Sequence, residues 1–226
     1  MKYKALLLDI DNTLYDYNIS HTIAKKNVVS FFIKTFKIDE DEIVLAYNKA
    51  RRKVHMELSE TAASHNRLLY FQKMCEILKI NPLQYSLKLY NVYWDTFLEN
   101  MTPFNGVYDL LEKYRNKICL VTDLTAHIQY RKVEQLKLNK YCDIIITSEE
   151  AGKEKPHPYM FMLALKKLNL KASEVCMIGD SFKKDILGAS NLGMDVIWFN
   201  HDNKQESHTD KTAVEAKIFK EILELV

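Results

Sequence analysis

The sequence predicts an α/β protein: a doubly wound parallel sheet of about five strands, interrupted near its start by an all-helical insertion. Three observations predict it. From residue 106 onward, short apolar runs alternate with helix-periodic segments. All five glycines (Gly106, Gly152, Gly179, Gly188 and Gly193) lie beyond residue 105, whereas residues 14–100 hold none and one proline, Pro82. A single apolar run stands ahead of that glycine-free stretch.

Ala5–Ile10 reads as the first strand, because the run is too short for a signal-peptide core and ends in aspartates. The glycine-free stretch reads as helices. Ile23, Val28, Phe31, Phe32 and Phe36 recur near helical spacing, followed by Ile43, Ala46, Tyr47 and Val54, and then by Leu68–Leu78. A fourth helix starts with Asn81 as N-cap and Pro82 at the first helical position, and continues through Leu83, Leu87, Tyr90, Trp94 and Phe97. Beyond Gly106 the expected order is helix (106–115), strand (Ile118–Val121), helix (126–138), strand (Ile144–Ile146) and helix (158–168). Strand Val175–Ile178, a helix over 183–192, strand Val196–Phe199 and a helical tail follow. Apolar runs of this length between helices mean parallel strands buried on both faces, a Rossmann-like sheet. Residues 1–13 and 101–226 are expected to form this domain, with residues 14–100 as a separate helical one. The polar run His201–Lys211 reads as a solvated loop.

Composition bounds the function loosely. With 47% hydrophobic and 27% charged residues the chain is ordinary globular protein, and 32 basic against 30 acidic residues give no global field for nucleic acid. Cys75, Cys119, Cys142 and Cys176 lie far apart without metal-type spacing and read as buried reduced thiols. No apolar stretch approaches the roughly 20 residues of a membrane helix, so a soluble, cytoplasmic protein is expected. His127, His157, His201 and His208 show no HxH or HExxH spacing, which argues against zinc.

In such a sheet, ligands bind outside the carboxyl ends of the strands. The first run ends Asp9-Ile10-Asp11-Asn12-Thr13, the second at Thr122-Asp123, and the fourth at Gly179-Asp180-Ser181 with Asp185 beyond; Lys155-Pro156 follows the third. Taken singly, these are helix caps, strand ends and an exposed cation. Together they bring carboxylates, a hydroxyl and an ammonium to one edge, which calls for charge compensation that a divalent cation and a phosphate would supply.

These residues resemble the haloacid dehalogenase superfamily, whose four motifs occur in this order at strand ends. Asp9–Thr13 is similar to the first, Thr122 to the second, Lys155-Pro156 to the third and Gly179–Asp185 to the fourth. A helical cap between the first and second motifs is also a family feature, which residues 14–100 fit. The resemblance implies a Mg²⁺-dependent phosphatase in which Asp9 attacks phosphorus, with the metal held by Asp9, Asp180 and the Asp11 backbone carbonyl. Asp11 would protonate the leaving alcohol and then activate water, which needs a pKa raised by burial and neighbouring carboxylates. Lys155, Thr122 and the backbone N–H groups of Asn12 and Asp123 would bind the phosphoryl oxygens, and Asp185 would orient waters or Lys155. Dehalogenases of the family lack the second aspartate, since halide needs no proton, so dehalogenation is disfavoured. Relatives with this cap often carry Asn where Asp123 stands, so Asp123 adds a charge that could meet a substrate hydroxyl or a cap residue.

The helical segment carries Arg51, Arg52, His55, His65, Asn66 and Arg67 in a short span. Solvated faces often look like this. If Arg51, His65 or Arg67 binds substrate, the substrate has a second anionic or hydroxyl-rich end, as a phosphorylated sugar, sugar acid or nucleotide does. The chain is similar in this to the nonulosonate-9-phosphate and nucleotide phosphatase branches. Tyr15 and Tyr17 would line the entrance, and Tyr90, Tyr93, Trp94 and Phe97 would form helical core. Two alternatives stay open: a phosphomutase using the same aspartates, and a non-catalytic binding protein on this fold.

Overall fold

The computed structural model describes residues 1–206 and 213–226. The chain forms two compact units, one of residues 1–16 and 102–226 and the other of residues 17–101. The first unit opens with β1 (Ala5–Leu8), every residue of which is buried, as both faces of a central parallel strand require.

The second unit consists of α1 (Tyr17–Phe36), α2 (Glu40–Glu57), α3 (Arg67–Ile77) and α4 (Pro82–Glu99). Asp39, Asn66 and Asn81 cap α2, α3 and α4 by accepting from backbone N–H groups of the first turn. Phe32, Tyr47, Tyr70, Phe71, Tyr93, Trp94 and Phe97 fill its interior. Leu83 and Leu87, apolar members of the pattern that marked α4, are 95% and 58% exposed.

The first unit resumes with α5 (Val107–Lys113), β2 (Ile118–Thr122), α6 (Ala126–Gln135), β3 (Ile144–Thr147), α7 (Ser148–Ala151) and α8 (Pro158–Leu168). It continues with β4 (Val175–Gly179), a π-type turn over Phe182–Ile186, α9 (Leu187–Ser190), β5 (Asp195–Phe199), β6 (Val214–Ala216) and α10 (Phe219–Leu225). All strands are parallel, in the order β3-β2-β1-β4-β5-β6. Leu7, Val121, Ile146 and Met177 pack on Phe161 of α8, with Phe182 and Trp198, on one face.

Among the described residues the sheet has one strand more than expected. In β6 only Ala216 is buried, so this edge strand lacks the continuous apolar run that betrays the inner ones. In the run from His201, residues 202–206 are exposed and lie outside helix and strand, as expected of a solvated loop. Its start is held by Asn200, which is buried and bonds the Lys204 backbone in both directions, at 2.8 and 3.1 Å. His208 and Lys211 lie outside the described residues. The four cysteines are buried and free, and among the described residues no helix is long and apolar enough to cross a membrane.

Candidate active site

β1 pairs with β2 on one side and β4 on the other, so the winding reverses at β1, and in such sheets ligands bind beyond the carboxyl end of the strand where it does. Asp9 stands there, buried, its N–H donating to Ile178 O at 3.1 Å and extending the ladder past β1. The chain then turns sharply. Thr13 N and Leu14 N both donate to Ile10 O, at 3.4 and 3.0 Å, and Asn12 takes φ 61°, a left-handed conformation that asparagine tolerates better than most residues. Thr13 Oγ1 donates to Asp9 Oδ2 at 3.4 Å and accepts from Asp180 N at 3.0 Å, which ties the ends of β1 and β4 together.

Lys155 is buried at the centre of this cluster. Its ammonium lies 2.7 Å from Asp9 Oδ1 and 2.7 Å from Asp185 Oδ1, the latter off the line of a hydrogen bond, and donates to Val121 O at 2.9 Å. Burial opposes the Lys155 charge, but Asp185, Asp9 and Asp123 outweigh it and raise the ammonium above its ordinary range. Asp185 accepts from Ser181 N at 3.0 Å and presses so close to Gly179 that an added Cβ there would meet its carboxylate at 2.3 Å. Only glycine leaves room for it.

Asp180 completes the acidic group. One carboxylate oxygen from each of Asp9, Asp180 and Asp185 can lie within 4.8 Å of the others, a set that could hold a metal ion. The donor chemistry fits a hard divalent cation, since every ligand atom is oxygen. Burial, and after it the partly opposing Lys155, leave Asp9 well above the usual carboxylate range, because Asp185, Asp180 and Asp11 all add negative charge. Lys204 reaches Asp180 Oδ2 at 3.0 Å, Asn12 Nδ2 donates to the same oxygen at 3.1 Å, and a ring nitrogen of His201 donates to Asn12 O at 3.1 Å. Lys204 and His201 come from the run read as loop.

Asp11 corrects an expectation. Burial does push its carboxyl upward, but the Lys132 ammonium, with hydrogen bonds from Lys132, Tyr15 and Gln129, holds it below the usual range. Lys132 Nζ lies 2.6 and 2.7 Å from the two Asp11 oxygens, and Gln129 Nε2 lies 3.1 Å from Oδ2. Tyr15 is fully buried and donates its phenol to Asp11 Oδ1. Neither Lys132 nor Gln129 was anticipated. The available signal was their place beside Ile128 on the inward stripe of α6, where an apolar residue belongs.

Thr122 is buried at the end of β2, and Gln129 Nε2 donates to its Oγ1 at 2.9 Å. Asp123 does not leave a charge uncompensated. Its Oδ1 accepts from Lys155 N at 2.9 Å and its Oδ2 pairs with Lys184 at 2.7 Å, so it fixes the loop that carries Lys155.

The helical unit holds the remaining sequence candidates. Arg51 is exposed on α2, and His65 is half-buried with its ring 4.8 Å from that of His55. Arg67 is buried. Its guanidinium lies 4.9, 5.5 and 5.9 Å from the rings of Tyr70, Tyr93 and Trp94, donates to His65 O at 2.8 Å and bonds Tyr17 Oη.

A carboxylate after β1, a lysine bridging it to the β4 loop and three carboxylates that could hold a cation stand where the resemblance to the haloacid dehalogenase superfamily expects them. The chain belongs to the haloacid dehalogenase-like hydrolase family, which it matches over residues 6–199. It is similar to a ribulose-1,5-bisphosphate 5-phosphatase of Halopiger xanaduensis, at 36% identity over 92% of this chain and 89% of the relative. It is also similar to the pyrimidine 5'-nucleotidase YjjG of Escherichia coli, at 28% identity over 91% and 90%. Among solved structures, the HAD-hydrolase YfnB of Bacillus subtilis, crystallised with magnesium, aligns over 100% of this chain and 99% of its own with a TM-score of 0.74 and 21% identity, a likeness of fold.

Proposed function

We propose that the protein is a Mg²⁺-dependent phosphatase that hydrolyses a small phosphorylated metabolite, a sugar phosphate, sugar-acid phosphate or nucleotide monophosphate, through a phosphoaspartate on Asp9. The observation that carries this reading is the buried-side arrangement of Asp11, held at fixed points near Asp9: an alkoxide leaving group needs a proton, and a halide does not. The names of the similar proteins support the phosphate-ester class.

In the first step, Asp9 Oδ attacks phosphorus, the bond from phosphorus to the ester oxygen breaks, and Asp11 gives that oxygen a proton. In the second step, Asp11 takes a proton from water as its oxygen attacks phosphorus, and the bond from phosphorus to Asp9 breaks, releasing inorganic phosphate. The free protein holds Asp11 as a carboxylate through Lys132, the form the second step needs. Beside a bound phosphate the added negative charge favours the proton that the first step needs. Lys155 and Thr122, with the N–H groups of Asn12 and Asp123, bind phosphoryl oxygens. Asp9, Asp180 and the Asp11 backbone carbonyl would hold Mg²⁺, with Asp185 adjacent, and the bound ion would offset the repulsion between carboxylate and phosphate.

Two measurements test this reading. Phosphate release from a panel of sugar phosphates, sugar-acid phosphates and nucleotides is expected with Mg²⁺ and not with EDTA; absence of release from every compound would contradict it. Independently of turnover, Mg²⁺ at 100 times its Kd is expected to stabilise the fold by about 2.7 kcal/mol, read as a raised Tm. Asp180→Asn should lose most of that shift, and an equal shift in that variant would place the ion elsewhere.

Within this reading the helical insertion is a specificity element, with Arg51, His65 and Arg67 as its substrate contacts. Arg51→Ala, His65→Ala and Arg67→Lys are expected to raise KM on the best substrate by roughly 10-fold each, the loss of one charge-assisted hydrogen bond. Unchanged kcat/KM in all three would remove these residues from the account.

A further inference from the structure

The inward face of α6 is unusual for a helix packed beside a sheet. Its buried residues are Ile128, Gln129 and Lys132, so two of the three are polar, and both are fully inaccessible to water. Burying an ammonium and an amide is costly, and a leucine or methionine would fill the same space without that cost. Residues three apart on a helix are surface neighbours, so the two side chains act from one patch.

Both point at one target. Lys132 Nζ touches both Asp11 oxygens, at 2.6 and 2.7 Å, a two-point hold that fixes the carboxylate plane. Gln129 Nε2 lies within hydrogen-bond reach of Asp11 Oδ2 at 3.1 Å, Thr122 Oγ1 at 2.9 Å and Asp123 O at 2.7 Å. Its two hydrogens are shared among three acceptors, and it spans the gap between Asp11 and the end of β2. Tyr15 grips Asp11 Oδ1 from the β1 loop.

From this geometry we infer that Lys132 and Gln129 are positioning residues, which set the Asp11 carboxyl at a fixed place relative to Thr122 so that it meets the departing ester oxygen. The inference rests on the reading of Asp11 as the acid and base of phosphate-ester hydrolysis. A misplacement of about 1 Å in such a group can cost about 10²-fold in rate.

The test is a leaving-group series of phosphate monoesters, running from alkyl esters to nitrophenyl phosphate, with kcat/KM measured for the wild type, Lys132→Met, Lys132→Arg and Gln129→Leu. Nitrophenolate leaves without help from an acid, whereas an alkoxide does not. Lys132→Met is therefore expected to lose about 10²-fold on alkyl esters but under about 10-fold on nitrophenyl phosphate, mainly in kcat. Gln129→Leu should steepen the dependence in the same direction, and Lys132→Arg should restore part of the loss. Parallel losses across the series in Lys132→Met and Gln129→Leu would show a role in folding alone and overturn the inference. If Lys132→Met does not fold, an unchanged slope in Gln129→Leu overturns it by itself. Wild-type turnover that is independent of Mg²⁺ and survives Asp9→Asn would instead bring down the phosphatase reading and this inference with it.

Discussion

Asp9→Asn is expected to lower kcat by at least about 10⁴-fold, a loss of roughly 5.5 kcal/mol of transition-state stabilisation. The amide cannot attack phosphorus, and no other carboxylate can substitute, because Asp180 and Asp185 sit on the β4 loop with their own partners, Lys204 and Ser181 N. The same substitution has an opposite effect on the fold. Asp9 lies well above the usual carboxylate range, burial being the chief cause, so its ionised form is disfavoured in the folded chain. A carboxyl raised by folding makes the fold more stable as pH falls and less stable once it is forced to ionise. Without Mg²⁺, at pH above the ordinary carboxylate range, Asp9→Asn should therefore have a Tm at or above that of the wild type, Lys155 keeping Asp185 as its partner. Residual turnover above about 1% of the wild type would contradict the assignment of Asp9 as nucleophile.

Lys155→Met is expected to damage both fold and activity. Lys155 is the ammonium shared by Asp9 and Asp185 at 2.7 Å, and it also bonds Val121 O. Removing it leaves two buried carboxylates without that cation, and breaking a buried pair in this way costs about 3–5 kcal/mol. The raised pKa of Lys155 sets the sign of the pH dependence: its contribution is complete below the ordinary lysine range and is lost only as pH rises toward the folded value. The variant should thus show a lowered Tm throughout the neutral range, with Mg²⁺ recovering part of it by replacing the missing positive charge. A stability within about 0.5 kcal/mol of the wild type would mean that the cluster does not depend on this lysine.

The inner sheet was legible because β1, β2 and β4 are buried on both faces and so read as unbroken apolar runs. β6 was not, since a short edge strand with one buried residue carries no such run. The α4 stripe misled in part. Its spacing was helical throughout, but the buried stripe runs through Ser86, Leu89, Tyr93 and Phe97, and Leu83 and Leu87 lie off it. At the site, Asp9, Thr122, Lys155, Asp180 and Asp185 could be read from their places just past strand ends, and the structure brings these positions to one sheet edge. Lys132 and Gln129 escaped notice because polar residues on a helix pass for its wet face until burial is known. Lys184 and Lys204 escaped for a related reason. Each is an ordinary lysine in a polar stretch, and only the fold aims one at Asp123 and the other at Asp180. The charge of Asp123 looked unfavourable in the sequence because its partner Lys184 arrives from the β4 side.

The covalent step at Asp9 is the central claim, and trapping tests it most directly. The wild type is mixed with Mg²⁺ and the best phosphate ester from the panel, quenched in acid within the first turnovers, and reduced with borohydride, which converts an acyl phosphate to an alcohol. Peptide mass spectrometry should then find homoserine at position 9 in the wild type and none in a sample without substrate. Inorganic phosphate released at full rate with no reduction product at position 9, or with the product at another aspartate, would contradict the account.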